Sequence, residues 1–483
     1  MPPYIAFLLW LILLVCLFRY DPAKDRGLSS SLWVPFVSMF LLASRSPAQW
    51  LGASTTFEEG NSIDHVVYLT LTVLALRVLF TRHLNWRAAT AANSTLTVLL
   101  LVSLLSVIWA DYPMVTFRRW IREAGNYLMV LVVLSEQQPL KAIEATIRRL
   151  SYLLISLSVL LIKYFRDVGV IYNEWTGAAQ FVGPTGGKNS LGLVCLIAGL
   201  FFFWDALRRW PDRRLRNVKR ILFVDVVFIV MTLWLLQLSE SATSRLCFVI
   251  GCLIVALVRY GSRTARINLA RTLPFAACLL AFLEYSFGLS DALTGLMGRD
   301  PTLTGRTEIW EALLRARTNP LLGVGFSSFW LGERMSSLWR ETKLMYLFNA
   351  HNGYLEMYLE LGIVGLSILC TFLVVSYRRI CRRLTSSVEF ASLSLGFWVV
   401  LVVYNITEDA FRSNPLWITF LLFAIALPMS SNKVSPRQET NGEGGRIANG
   451  AGNGPNTIPS LRSARAPQEF MVLPASKQLR HPR

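Results

Sequence analysis

"LGLVCLIAGLFFFW" (191–204) carries no charged side chain, and "RRWPDRRLRNVKR" (208–220) follows it with seven Lys/Arg against one Asp. An apolar run that extends to bilayer length and ends in a basic loop reads as a transmembrane helix with its cytoplasmic end marked. The same pattern recurs along the chain, beginning with "IAFLLWLILLVCLF" (5–18). The 483 residues are 53% hydrophobic and only 16% charged, and the mean hydropathy is +0.45. Soluble chains normally hold about a quarter charged residues. The composition therefore predicts an all-α, polytopic membrane helix bundle.

Apolar windows fall near 4–19, 31–44, 63–80, 95–110, 121–135, 150–165, 189–206, 221–238, 244–260, 272–289, 353–376, 388–405 and 413–430. They predict about 12–13 spans in an integral membrane domain over 1–430. The segments 31–44 and 121–135 are short enough to be re-entrant or interfacial. The first run has no Lys or Arg before it and no small-residue cleavage pattern after it, so it reads as a first span rather than a signal peptide. From 431 to 483 the chain is rich in Gly, Asn, Ser and Pro. That composition predicts a disordered cytoplasmic tail. The seven cysteines lie in or beside apolar runs, which predicts no disulfide framework.

Lys+Arg exceed Asp+Glu by 48 to 30, yet the excess sits in short loops where topology explains it, so no nucleic-acid partner is expected. The loops 208–220, 259–266 and 378–383 are the basic ones. Alternation then places 45–62, 166–188, 239–243, 290–350 and 406–412 on the opposite, outer face. Segment 111–120 fits poorly, because it carries Arg118 and Arg119 yet falls outside.

The outer loop 290–350 is long, and long loops are usually functional. Within it, "GRTEIWEALLRARTNP" (305–320) spaces Ile309, Trp310, Leu313 and Leu314 as one helical face, which predicts an amphipathic helix lying along the bilayer surface. The loop ends in "FNAHNGYLEMYLELG" (348–362), which holds His351, one of four histidines. Continued as a helix, this stretch puts His351, Leu355 and Tyr358 on one stripe and Asn352, Glu356 and Glu360 on its neighbour.

"GRTEIWEALLRARTNPLLGVGFSSFW" (305–330) followed by "AHNGYLEMYLELGIVGL" (350–366) resembles the O-antigen ligase superfamily. That superfamily covers lipopolysaccharide O-antigen ligases, Wzy-type polysaccharide polymerases and ExoQ-like exopolysaccharide proteins. "FVGPTGGKNSLG" (181–192) and "LSESATSR" (238–245) agree, so the resemblance runs over roughly 180–376. One departure is Gly187, where related sequences carry a His before the Lys-Asn pair.

The resemblance implies transfer of a glycan from an undecaprenyl-pyrophosphate carrier to an acceptor sugar hydroxyl, at the outer face of a bacterial inner membrane. The acceptor would be a lipid A-core sugar in a ligase or another glycan in a polymerase. Such chemistry needs a base for the hydroxyl and cations for the departing pyrophosphate. His351 suits the first role. Arg245 and Arg306 suit the second, because a guanidinium binds phosphate oxygens in bidentate fashion. Lys188, Asn189, Asn352, Tyr354, Glu356 and Trp310 are candidate substrate-binding residues. No D-x-D and no His/Cys spacing suggests a metal, so a metal-independent, cofactor-free mechanism is expected. Membrane lipids are the remaining expected partner. A transporter or flippase of polysaccharide precursors is the reading from another class, and it fits poorly with span centres nearly free of charge. A non-catalytic scaffold is the third.

Overall fold

The computed structural model describes residues 1–22, 27–53, 60–172, 177–287, 306–316, 318–342, 347–385 and 387–427. The tail 431–483 lies outside the described residues, as do 288–305 of the outer loop. The first helices are α1 (Pro3–Arg19), α2 (Trp33–Ala43), α3 (Pro47–Trp50), α4 (Ser62–Thr81), α5 (Trp86–Ala92), α6 (Ser94–Leu105), α7 (Pro113–Leu134), α8 (Pro139–Tyr164), α9 (Arg166–Gly169) and α10 (Lys188–Arg209). They are followed by α11 (Arg216–Leu238), α12 (Ala242–Tyr260), α13 (Arg263–Phe287), α14 (Arg306–Arg315), α15 (Gly332–Thr342), α16 (Gly353–Arg383), α17 (Val388–Thr407) and α18 (Pro415–Ala424).

The chain is an all-α, multi-pass membrane bundle. Each of the thirteen apolar windows coincides with part of a helix. Seven described helices are long and apolar enough to cross a bilayer: α4, α8, α10, α11, α12, α16 and α17. An eighth is present if α5 and α6, bent by 98°, form one span. The count is below the expected 12–13 because a composition window does not register bends or short helices. Helix α18 has only 10 residues, and α7 carries Arg118, Arg119, Arg122 and Glu123 in its first half. One small departure from an all-helical chain is the hairpin of β1 (Val170–Tyr172) and β2 (Ala179–Phe181), with Val170 opposite Phe181.

Helices α8, α10, α17 and α18 form the buried centre. On α11 and α12 the exposed apolar side chains include Phe223, Val226, Val230 and Leu233, then Leu246, Val249, Leu253 and Leu257. Both sets repeat at i, i+3/4, i+7, the stripe a lipid-facing helix presents. At the end of the bundle that carries the basic loops, the charges are paired. Buried Arg148 of α8 meets Asp205 of α10 and, at 3.1 Å, Asp225 of α11, while Arg208 holds Glu144 at 2.5 Å. Removing one partner would strand a charge, so this network locks α8, α10 and α11 in register.

The expected outer segments gather at the opposite end. Arg45 bonds the Val168 and Pro184 carbonyls, Thr243 meets Thr407 at 2.9 Å, and Asn189 reaches Glu408 at 3.0 Å. The poorly fitting segment 111–120 belongs here too. Arg119 donates to the Ser327 carbonyl at 2.5 Å, and Asp111 pairs with Arg334 at 2.7 Å. The Arg119 charge is thus held against the backbone of the long loop.

Two expectations for the outer loop change. Helix α14 turns Ile309, Ala312 and Leu313 into a small core with Phe329, Trp330, Leu338, Leu347 and Leu359. Those three residues are therefore covered by protein, including the second loop helix α15, while Leu314 of the expected apolar face stays more than half exposed. The helix that begins at Gly353 is also not continuous. It breaks at Gly362, whose φ is +63°. The freed backbone groups are satisfied by residues 320–325: Ile363 N–H donates to the Pro320 carbonyl at 2.9 Å, and Gly325 N–H to the Glu360 carbonyl at 2.9 Å. A Cβ on Gly323 would stand 2.3 Å from the Glu360 backbone, and one on Gly362 2.2 Å from that of Leu321. Only glycine permits both the positive φ and the approach. Broken helices at membrane depth persist where protein re-satisfies the backbone in this way.

Candidate active site

Three pieces of chain converge at the end of the bundle away from the basic loops: the start of α10, the approach to α16, and the turn between α17 and α18. The turn, "TEDAFRSN" (407–414), is pinned from several sides. Asn405 accepts from Ala410 N–H at 2.8 Å. Glu123 of α7 accepts from Ser413 N–H and Oγ at 2.8 and 2.7 Å. Asn414 caps α18 through Leu416 N–H.

His351 lies one residue before the cap of α16. Asn352 supplies that cap, its Oδ1 accepting from Tyr354 and Leu355 N–H at 3.0 Å each. His351 itself has φ +47°, a left-handed conformation that β-carbon sterics disfavour. Asn349 Oδ1 holds its N–H at 3.1 Å. Strain of this kind persists only where surrounding contacts impose it. Gly353 allows the adjacent backbone to touch the turn. Its N–H donates to the Glu408 carbonyl at 3.0 Å, and a Cβ there would fall 2.1 Å from Asn405 Oδ1.

The result is a hydrogen-bonded chain. His351 Nδ1 lies 3.2 Å from Glu408 Oε2, and Glu408 Oε1 accepts from Asn189 Nδ2 at 3.0 Å. The His351 side chain is 33% exposed and that of Glu408 10%. Nε2 makes no hydrogen bond among the described residues, so the ring is held at one nitrogen and free at the other.

Behind this chain stands an ionic cluster. Arg412 pairs with Glu356 at 2.5 Å, with Glu360, and with Asp409 at 3.5 Å. Glu356 also accepts from Trp330 Nε1 at 2.5 Å and Ala350 N–H at 2.9 Å. Burial, reinforced by the Glu356 and Glu408 carboxylates, pushes Asp409 well above the usual carboxylate range.

The structure brings together His351, Asn189, Asn352, Glu356 and Tyr354, and Lys188 stands beside Asn189 at the start of α10. Several of these have protein partners. Both Glu356 oxygens are occupied, Tyr354 donates to the Val402 carbonyl at 3.1 Å, and Trp310 donates to the Ala350 carbonyl at 2.9 Å, bracing the residue before His351. Lys188 is half-buried and unpaired among the described residues. Arg245 lies on the first turn of α12, but its guanidinium reaches Gln237 at 3.4 Å and none of the His351 group. Arg306 is the first residue of α14, and its side chain lies outside the described residues. Among the described residues, no three His, Cys, Asp or Glu side chains stand as a metal would need.

Glu408 as the histidine's partner, Arg412 and Asn405 were not read from the sequence as site residues. Their signal was present: "NITEDAFRSNP" (405–415) puts two acids and an arginine into one short turn between apolar helices.

A multi-pass helical membrane protein with a histidine–carboxylate chain at one end defines the class. Residues 226–370 match the O-antigen ligase family. The matched stretch contains Arg245, Arg306 and His351 but neither Asn189 nor Glu408. The chain is 27% identical over 298 residues to the exopolysaccharide production protein ExoQ of Rhizobium meliloti, covering 58% of this chain and 64% of that protein. It is 28% identical over 212 residues to a protein named "Putative polysaccharide ligase" from Rickettsia felis, covering 41% and 51%. A similarly named Rickettsia prowazekii protein is 25% identical over 210 residues, covering 42% and 52%. The chain thus spans just under two thirds of ExoQ and about half of the rickettsial proteins.

Proposed function

We propose that this protein is a glycosyl-transferring membrane enzyme, moving a glycan from an undecaprenyl-pyrophosphate carrier to a sugar hydroxyl on the periplasmic side of a bacterial inner membrane. The observation that carries the reading is the Asn189–Glu408–His351 chain. A base held at Nδ1 by a carboxylate presents Nε2 outward, the arrangement general-base catalysis needs.

In this scheme His351 Nε2 takes the proton from the acceptor hydroxyl as its oxygen attacks the anomeric carbon. The bond from that carbon to the pyrophosphate oxygen breaks, and pyrophosphate leaves with the electron pair. Glu408 faces the imidazolium that forms and offsets its charge. Lys188, at the N-terminus of α10, meets the growing negative charge in this scheme, aided by the helix dipole. Arg245 and Arg306 supply further cations at the same end, Arg245 by leaving Gln237 when the donor arrives. The pyrophosphate carrier brings the activated bond, so the step requires neither nucleotide nor metal.

The acceptor separates two versions. In a polymerase the acceptor is a second carrier-linked glycan; similarity to ExoQ, a protein named for exopolysaccharide production, over a longer stretch than to the ligase-named relatives keeps this version beside the ligase. A lipid A-core sugar would make the enzyme a ligase with the same site. Purified protein given lipid-linked glycan with each acceptor in turn tests this by product mass. An elongated carrier-linked chain supports the polymerase and a glycan on lipid A-core the ligase. Transport of intact donor with no covalent product would refute both.

A further inference from the structure

At the far end of the bundle from His351, α13 and the last turns of α16 line a half-open cavity of about 340 Å³. Five arginines line it: Arg263, Arg266 and Arg271 from α13, Arg378 and Arg382 from α16. None of the lining residues is acidic. Several other arginines at this end have partners: Arg148, Arg208 and Arg209 share carboxylates, and Arg379 bonds Asn93 at 3.1 Å. The five cavity arginines form no ion pair among the described residues, and Arg266 Nε is buried without a hydrogen-bond partner. Like charges gathered without counterions repel one another, and an anion seated among them would relieve that repulsion.

We propose that this cavity binds the phosphate of an anionic phospholipid in the leaflet opposite the catalytic site. The guanidinium groups match phosphate oxygens in geometry and charge. Two features favour a lipid over a free anion. Ile267, Ala270, Leu384 and the ring of Tyr377 share the lining, and the Tyr377 hydroxyl donates to the Ala270 carbonyl to hold the two helices together. Further along α13, toward the membrane, Phe275, Leu279 and Phe282 are all more than half exposed. A phosphate seated among the arginines would leave its acyl chains along that flank. Basic pockets between helices on the cytoplasmic side bind lipid headgroups by this combination. Membrane topology alone accounts for basic residues at this end but not for their convergence on one cavity. Arg213, Arg214 and Arg216 carry comparable charge on the same side and do not line it.

The test is native mass spectrometry of the full chain in a non-ionic detergent, titrated with phosphatidylglycerol, with phosphatidylcholine of the same chains, and with inorganic phosphate. Wild type is expected to prefer phosphatidylglycerol over phosphatidylcholine by about tenfold or more. The preference is lost in R266Q/R378Q/R382Q and kept in R213Q/R214Q/R216Q. The charge-retaining R266K/R378K/R382K variant is expected to keep a reduced preference, which separates binding from misfolding, and the unfolding midpoint without lipid checks all three. Retained preference in the first variant, or its loss in both glutamine variants alike, overturns the proposal. Displacement of phosphatidylglycerol by millimolar inorganic phosphate overturns it in favour of a free-anion site.

Discussion

Replacing Glu408 by alanine removes both acceptors at the centre of the proposed relay, the one 3.2 Å from His351 Nδ1 and the one 3.0 Å from Asn189 Nδ2. Hydrogen bonds to a charged group contribute about 1.5–3 kcal/mol. If that stabilisation is realised when His351 takes the proton, its loss lowers turnover by roughly 10- to 150-fold, at 1.36 kcal/mol per factor of ten. The lower part of the range is expected, because a third of the His351 side chain is open to solvent and water replaces part of the interaction. Glu408→Gln keeps one acceptor but loses the charge and the other acceptor, so its loss is expected to be no greater than that of Glu408→Ala. His351→Ala removes the base itself, a loss of about 10²–10⁴. Because Glu408 acts only through His351, the double variant is expected to be no slower than His351→Ala alone. The assay is initial-rate transfer from lipid-linked glycan by purified variants of matched unfolding midpoint. Multiplicative losses in the double variant would refute the coupling and leave Glu408 a merely structural residue.

Three more outcomes follow from the same geometry. Gly323→Ala meets both a positive φ and a Cβ 2.3 Å from the Glu360 backbone, so a loss of at least about 2 kcal/mol in thermal or denaturant unfolding is expected. Gly186→Ala, with open space around it, leaves stability unchanged. Arg412→Gln leaves Glu356 and Glu360 buried without their cation. It is expected to cost about 3–5 kcal/mol, visible as a lowered unfolding midpoint. Asp409 has its folded pKa raised by burial and neighbouring carboxylates, so its ionisation opposes folding. Its contribution is fully present below the unfolded pKa near 4 and fades as pH rises toward the folded value. Asp409→Asn removes that dependence, so at neutral pH it unfolds no sooner than wild type. Earlier unfolding would instead assign Asp409 a stabilising charge beside Arg412.

Much of this architecture is legible locally. Apolar runs such as 191–204 cannot be anything but buried or membrane-facing helix, and each window found its helix. His351 stood out because histidine is rare here and sits where a polar loop re-enters an apolar segment. Its partner was not legible, because Glu408 lies 57 positions further on and reaches it only when the turn after α17 comes to rest against the start of α16. The break at Gly362 was equally silent, since "LELGIVGL" (359–366) reads as uninterrupted apolar helix. It becomes visible only once 320–325 is seen to take over the backbone hydrogen bonds. The loop core around Trp330 and Leu313 escaped for a related reason. An amphipathic helix alone does not say whether lipid or protein covers its apolar face.

The most direct measurement is a single-turnover assay with purified wild type and His351→Ala, saturating lipid-linked glycan, acceptor and EDTA. The account predicts rapid glycan transfer by the wild type, unaffected by EDTA, and a rate lower by about 10²–10⁴ in the variant with donor binding retained. Transfer by His351→Ala at the wild-type rate, or abolition of wild-type transfer by EDTA, would contradict it.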